Sequence, residues 1–274
     1  MRSIYACPVC LEPLTLINSS WQCPTKHSFD RHRKGYVNLL AVQRKRSKEP
    51  GDNADMIQRR REFLEAGYYR PLAQALAETC KFTLSPDATL LDAGCGEGYY
   101  TNTIAQLNPD FCCHGLDISK VAIQAAAKYK NVEWCVASST YPPYLPNSFD
   151  AIISIFSRVD SQPFANILKP GGKILMVTPD TNHLHALRTL IYDQVQPYDI
   201  SKHKNYFDNH FHLKDEQNIH FNLLLEDAEA IQNLLGMTPH AHHLSESAKE
   251  KLSQTNKLHD QACFKLYCFE YSEN

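Results

Sequence analysis

Seven residues, Asp92-Ala93-Gly94-Cys95-Gly96-Glu97-Gly98, constrain this chain more than any other segment. An apolar run, Thr89-Leu90-Leu91, precedes them, and a helix-like stretch over residues 99–107 follows. Alternate glycines at a strand-to-helix junction allow a tight turn and let the backbone approach a ligand closely. A dinucleotide site needs G-x-G-x-x-G, and that spacing fails here because Tyr99 stands three positions after Gly96. The spacing is D-x-G-x-G-x-G instead. With no pyrophosphate to cradle, an acid at the strand end can order the loop and meet the cationic amino-acid part of S-adenosyl-L-methionine (AdoMet).

The surrounding pattern agrees. Strand-like runs at residues 88–91, 111–116, 132–136, 150–155 and 173–178 alternate with helical stretches, clearest at 99–107 and 119–129. Such alternation predicts an α/β fold, a doubly wound and mostly parallel sheet with helices on both faces. Asp117 ends the second strand, 25 residues after Asp92. An acid there can accept both ribose hydroxyls of a nucleoside. Leu168-Lys169-Pro170-Gly171-Gly172 reads as a turn feeding the fifth strand. Ahead of the sheet, residues 56–80 read as helix, broken near Gly67 and Pro71. Beyond it come an apolar run at 221–225, a helix at 226–235 and a strand at 263–271.

A second signature opens the chain. Cys7-x2-Cys10-x12-Cys23-x3-His27 supplies four soft or borderline ligands in two close pairs, which is what tetrahedral zinc requires. About thirty residues bury too little to fold alone, so the metal would supply folding energy. Four protein ligands leave no open position, so the predicted role is structural. His32 is a weaker alternative fourth ligand. The seven other cysteines lie mostly within apolar runs and read as small core residues.

Charge is uneven. Residues 1–50 carry nine Lys/Arg against three Asp/Glu, whereas the whole chain carries 28 against 30. The basic end suits a polyanionic partner. The 274 residues are 43% hydrophobic and 21% charged, enough for a sizeable core without disulfides. No apolar run reaches the roughly 20 residues of a membrane span, and the N-terminus lacks a signal-like stretch. The expectation is a cytoplasmic protein with no membrane partner.

With these residues assembled, the chain resembles the bacterial 23S rRNA (guanine-N1)-methyltransferases along nearly its whole length. The matching stretches include CPVC and CPTKHSFD, KGYVNLL, KRSKEPGD, RREFLEAGYY, LLDAGCGEGYYT, GLDISKVAIQAAAK, LKPGG and TPDTNHL. The resemblance implies a Rossmann-like class I methyltransferase domain with a small N-terminal zinc-binding module. It implies AdoMet and one structural Zn2+ as cofactors, 23S rRNA as partner, and a homodimer whose cleft takes an RNA hairpin. Carried over residue by residue, the zinc ligands match Cys7, Cys10, Cys23 and His27. The cofactor contacts match Tyr69, Gly96, Glu97 and His183, beside Asp92, Gly94 and Asp117 from the pattern itself.

Three segments are expected: a zinc and RNA-recognition module over residues 1–35, a basic linker with helix over 36–80, and the methyltransferase domain over 81–274. Arg31, Arg33, Lys34, Arg44, Lys45, Arg46 and Lys48 would hold the RNA backbone, with Arg59, Arg60 and Arg61 on the helix as an extension. One stretch departs from the family. After the fourth strand its members read roughly IYAPC, and this chain reads Ile155-Phe156-Ser157-Arg158-Val159-Asp160. Asp160 and His183 are candidates to take the guanine N1 proton, without a choice between them, so the catalytic residue stays open. Two other functions fit less of the pattern. One is a small-molecule AdoMet methyltransferase with a zinc-stapled lid, the other a non-enzymatic zinc and RNA-binding protein with a degenerate fold.

Overall fold

The computed structural model describes residues 4–41, 50–199, 207, 210–238, 240–241 and 244–273. The N-terminal segment forms a small antiparallel sheet of β1 (Thr15–Ile17), β2 (Ser20–Gln22) and β3 (Ser28–Asp30). Asn18 and Ser19 both take positive φ, as a two-residue hairpin turn between β1 and β2 requires. Next come β4 (Val37–Asn38), α1 (Ala54–Glu65) and α2 (Arg70–Thr83). Asn53 caps α1 by accepting from the Met56 N–H. The expected break falls at Gly67 (φ 89°), and Pro71 sits in the first turn of α2, where its missing N–H costs nothing.

The main sheet then alternates as the pattern required: β5 (Thr89–Ala93), α3 (Tyr99–Leu107), β6 (Cys112–Asp117), α4 (Lys120–Ala126), β7 (Glu133–Val136), β8 (Phe149–Ile155), α5 (Ser161–Ile167), β9 (Leu168–Pro179) and α6 (His185–Ile191). After β10 (Phe211–Leu225), α7 (Ala228–Gly236) and α8 (Glu246–Ser253), the strand β11 (Leu258–Tyr271) completes it. The order is β10-β11-β9-β8-β5-β6-β7-β4. From β9 to β4 the strands run parallel, and β11 pairs antiparallel with both β9 and β10. The order reverses at β5, which has β6 on one side and β8 on the other. In an open α/β sheet the crevice at that reversal, beyond the strands' carboxyl ends, is where ligands bind.

Two strands exceed the sequence expectation. Only residues 221–225 of β10 carry an apolar run, yet the strand begins at Phe211. Its first part is polar because it lies on the sheet edge, with most side chains in solvent. The two-residue β4, within the stretch read as a linker, pairs with Cys135–Val136. The zinc segment also packs against the sheet rather than hanging free. Tyr5 stacks on Tyr144 at 5.3 Å, and Cys7, Leu14 and Cys23 share one buried cluster with Leu91, Phe149 and Ile152.

Candidate functional site

The Cys/His pattern converges as its spacing predicts. Cys7, Cys10, Cys23 and His27 bring their ligand atoms within 4.8 Å of one another, the one such group among the described residues. Each pair sits on a tight turn, closed by Leu11 N–H to Cys7 O (2.9 Å) and by Lys26 N–H to Cys23 O (2.9 Å). The Cys10–Cys23 sulfurs are 3.6 Å apart, and His27 Nδ1 lies 3.6 Å from Cys7 Sγ and 3.4 Å from Cys23 Sγ. A tetrahedron with bonds of about 2.0–2.3 Å has edges of about 3.5–3.8 Å, so the donor set fits zinc. Thr25 Oγ1 stands 3.0 Å from both the Cys10 and Cys23 sulfurs, a contact that spacing did not reveal. His32 stacks on Tyr36 instead and is no ligand here.

The second site is a cavity of about 900 Å³ over the carboxyl ends of β5, β6, β8 and β9. Every residue expected at the cofactor lines it: Tyr69, Asp92, Gly94, Gly96, Glu97, Asp117 and His183. Three backbone N–H groups fix the loop after β5. Those of Gly94 and Cys95 donate to Leu116 O, and that of Gly96 donates to Asp117 Oδ2 at 3.0 Å. Gly96 holds φ 56°, and a Cβ there would meet only the Arg60 guanidinium, at 3.3 Å. Asp117 Oδ1 accepts from Ser119 N–H at 2.7 Å. Each Asp117 oxygen keeps a further lone pair for a ligand hydroxyl.

Asp92 is almost fully buried. Its Oδ2 accepts from Thr101 Oγ1 at 2.5 Å, and its Oδ1 has no partner. Burial, with Asp117 and Glu97 nearby, raises its pKa to about 7 against the lowering bond from Thr101. An orphaned, buried acid oxygen in a cavity is the feature a ligand ammonium would satisfy, so these residues fit AdoMet. Burial also raises Glu97, although the Arg60 charge opposes it.

Arg60 departs from its sequence reading. Rather than facing RNA, it lines the cavity and pairs with Asp52 at 2.5 Å. Its neighbours Arg59 and Arg61 pair along their own helix with Asp55 and Glu65. All three arginines thus make local ion pairs, those of Arg59 and Arg61 on the partly exposed helix surface. Of the other basic residues, Arg31 bonds Gly35 O and faces Glu133 at 3.7 Å, while Arg33 and Lys34 are exposed. Arg44, Lys45, Arg46 and Lys48 lie outside the described residues.

The far end of the cavity, over β8 and β9, is more aromatic. Tyr69 Oη lies 3.5 Å from His183 Nε2. His183 Nδ1 accepts from the Cys263 N–H at 3.1 Å, so the neutral ring carries its proton on Nε2. Burial, then the charges of Arg188 and His240, push the His183 pKa down to about 3. It is a fixed donor rather than a base. Asp160, the other candidate, is not part of the cavity wall and lies 3.8 Å from Arg158. Phe156 holds φ 53° and leaves 46% of its surface exposed at this end. Tyr198 and His240, which no motif marks, complete the wall.

Comparison with known proteins finds a relative for each part of the chain. Residues 5–48 match the family model described as "RlmA, N-terminal", and residues 84–234 match a methyltransferase domain model. A Micromonospora griseorubida protein bearing the name "Putative 23S rRNA (guanine-N(1)-)-methyltransferase" is 30% identical over 259 residues, 86% of either chain. The 23S rRNA (guanine(748)-N(1))-methyltransferase of Streptomyces fradiae is 28% identical over 243 residues, 86% of this chain and 85% of its own. In structure, the YcgJ protein of Bacillus subtilis superposes with a TM-score of 0.50 at 18% identity, over 74% of this chain and 98% of its own, which shows the shared fold. With a zinc ribbon and a class I methyltransferase fold in one chain, and this identity over most of its length, the protein belongs to the 23S rRNA (guanine-N1)-methyltransferase family.

Proposed function

We propose that this chain methylates N1 of a guanine in a hairpin of 23S rRNA, with AdoMet as donor. The observation that carries the reading is one chain joining a Cys3His ribbon to a cavity floored by Asp92, Gly96 and Asp117. When bound, AdoMet supplies a methyl group already activated on a sulfonium. The protein's task is then to hold the acceptor nitrogen in line with that methyl carbon.

Asp117 accepts the ribose hydroxyls, and Asp92 takes the ammonium on its unpartnered oxygen. The Gly94–Gly96 backbone gives close approach, with Glu97 and its Arg60 counter-charge beside it. Tyr69 and His183 bound the methionine end, His183 as an Nε2–H donor. Guanine N1 lies on the Watson–Crick edge and is hidden in a duplex, so the base must leave its stack. Phe156, held out by its left-handed backbone, offers a ring face for that base. Residues 1–35 with the basic run after them grip the RNA backbone, and residues 81–274 perform the transfer. Two copies pair so that one cleft takes the hairpin, and the protein works in the cytoplasm.

The test is mass mapping of 23S rRNA from a strain lacking this chain. The reading expects one 1-methylguanosine to vanish there and to return on complementation. Sedimentation of the purified protein checks the dimer.

A further inference from the structure

Guanine N1 carries a proton and is a poor nucleophile until it loses it, so something at the acceptor end of the cavity must take that proton. The carboxylates at the cofactor end are committed elsewhere: Asp117 accepts from Gly96 and Ser119, the unpartnered Asp92 oxygen is the one assigned to the ligand ammonium, and Glu97 faces the Arg60 charge. His183 already bears its proton on the nitrogen beside Tyr69, and its other nitrogen is occupied by the Cys263 N–H. Asp160 lies off the cavity wall.

Among the described residues, what remains at this end is a continuous hydrogen-bonded row. Tyr198 Oη lies 2.9 Å from His240 Nε2, and His240 Nδ1 lies 2.8 Å from Tyr192 Oη. Tyr198 and His240 line the cavity, whereas Tyr192 does not and is half-buried. The row therefore leads from the cavity towards solvent. Burial raises the Tyr198 pKa, so the phenol keeps its proton at rest, and the Arg188 guanidinium, 4.3 Å from the ring centroid, opposes that rise and favours negative charge developing on the oxygen as the proton moves on. Arg188 is itself fixed, donating to His183 O at 3.2 Å and to Gln196 O. The Tyr198 ring stands 6.3 Å from the His183 ring, centroid to centroid, which puts the phenol beside the group that bounds the methionine end.

We propose that Tyr198 is the catalytic residue that takes the N1 proton, with His240 drawing the phenol proton onward and Tyr192 passing it to solvent. This rests on the guanine-N1 reading. The N1–H bond breaks as the proton moves to Tyr198 Oη, and the phenol's own proton moves to His240 Nε2. The electron pair left at N1 forms the bond to the methyl carbon while the carbon–sulfur bond breaks, its pair staying on sulfur. The unit of positive charge that enters on the sulfonium thus ends on the His240 imidazolium and leaves as a proton. The direction is set by the tautomer in which Nε2 accepts from Tyr198 and Nδ1–H donates to Tyr192. His240 acts through Tyr198 and is a positioning and relay residue.

Among the described residues, the groups facing His240 are Tyr198, Tyr192, Arg188 and His183; burial and then Arg188 lower its pKa, so it returns the proton readily. The test is single-turnover methylation of 23S rRNA, isolated from a strain lacking this chain, by wild type, Tyr198→Phe and His240→Gln across pH. AdoMet and RNA affinities are measured alongside. The expected result for Tyr198→Phe is about a hundred- to ten-thousandfold slower transfer near neutrality, with both affinities kept. Its rate should climb about tenfold per pH unit as hydroxide replaces the lost base. His240→Gln should slow transfer less, because the phenol remains. Independently of turnover, 15N spectra of labelled histidine should show His240 changing tautomer balance and pKa in Tyr198→Phe. Transfer by Tyr198→Phe within about threefold of wild type would overturn the proposal, as would a histidine spectrum unmoved by the substitution. If the wild type itself forms no 1-methylguanosine, the underlying reading falls, and the relay with it.

Discussion

Replacing Asp92 by asparagine should make the protein more stable and a poorer binder of AdoMet, and the first effect should depend on pH. The buried carboxyl titrates at about 7 in the fold, because burial and the neighbouring Asp117 and Glu97 disfavour its charged form. In the unfolded chain an aspartate titrates near its ordinary value of 3.8. Between those two values the native state holds a proton that the unfolded chain has released, so stability falls as pH rises. Below about 4 the group costs nothing, and above about 7 the full penalty applies. Roughly three pH units at about 1.4 kcal/mol each give an upper bound of about 4 kcal/mol.

The Asp92→Asn variant keeps the bond from Thr101, since its amide oxygen can accept in place of Oδ2. It loses the titration altogether. The gain over wild type should therefore be about 2–4 kcal/mol at about pH 8 and should shrink towards zero near about pH 4. For a chain of this size that is about 5–10 °C in Tm. The amide's own burial shifts both ends of the profile equally, so the slope is the diagnostic. Against this, losing a charge-assisted contact to the ligand ammonium should weaken AdoMet about ten- to a hundredfold. Wild-type binding at about pH 6 should also release close to one proton, and the variant none. Denaturation from about pH 4.5 to 8, with calorimetry in two buffers of different ionisation enthalpy, reads all three effects. Parallel stability profiles for the two proteins would refute the argument, whatever the affinities.

Asp117→Ala removes the acceptor for two hydroxyls and the anchor of the Gly96 N–H, and calorimetry should show AdoMet bound about ten- to a hundredfold more weakly. Gly98→Ala forces a side chain into φ 83° and sets its Cβ 2.6 Å from the Trp134 ring, so it should cost about 2–4 kcal/mol in denaturant titration. Cys7→Ser should lose one equivalent of zinc by metal analysis. Because Tyr5, Cys7 and Leu14 share a buried cluster with the sheet, Tm of the whole chain should fall too, while AdoMet still binds. Reversing the charges of Arg44, Lys45 and Arg46 should weaken RNA binding and flatten its salt dependence by about 0.7–0.9 per lost contact, leaving AdoMet affinity as it was.

What the sequence discloses and what it withholds divide along a physical line. Chemistry that is local in the chain is legible. The two zinc turns each hold both ligands within five residues, and Asp92 stands beside its glycines. Asp117 is reachable because the strand-like run of residues 111–116 stops on it. Groups that meet only through the fold leave no trace of spacing. Tyr198 and His240 are 42 residues apart and join through one hydrogen bond. Arg60 sits in a run of three arginines that reads as a basic surface, and only helix geometry turns this one inward. The polar half of β10 escapes a hydrophobic pattern because an edge strand buries little, and β4 escapes it because two residues carry no period.

The most direct test incubates the purified protein with methyl-labelled AdoMet and 23S rRNA from a strain lacking this chain, then digests the RNA to nucleosides. A guanine-N1 methyltransferase should leave one label per rRNA, recovered as 1-methylguanosine, and almost none when Asp117→Ala replaces the wild type at limiting AdoMet. Label recovered in any other nucleoside, or none in the RNA at all, would contradict that assignment.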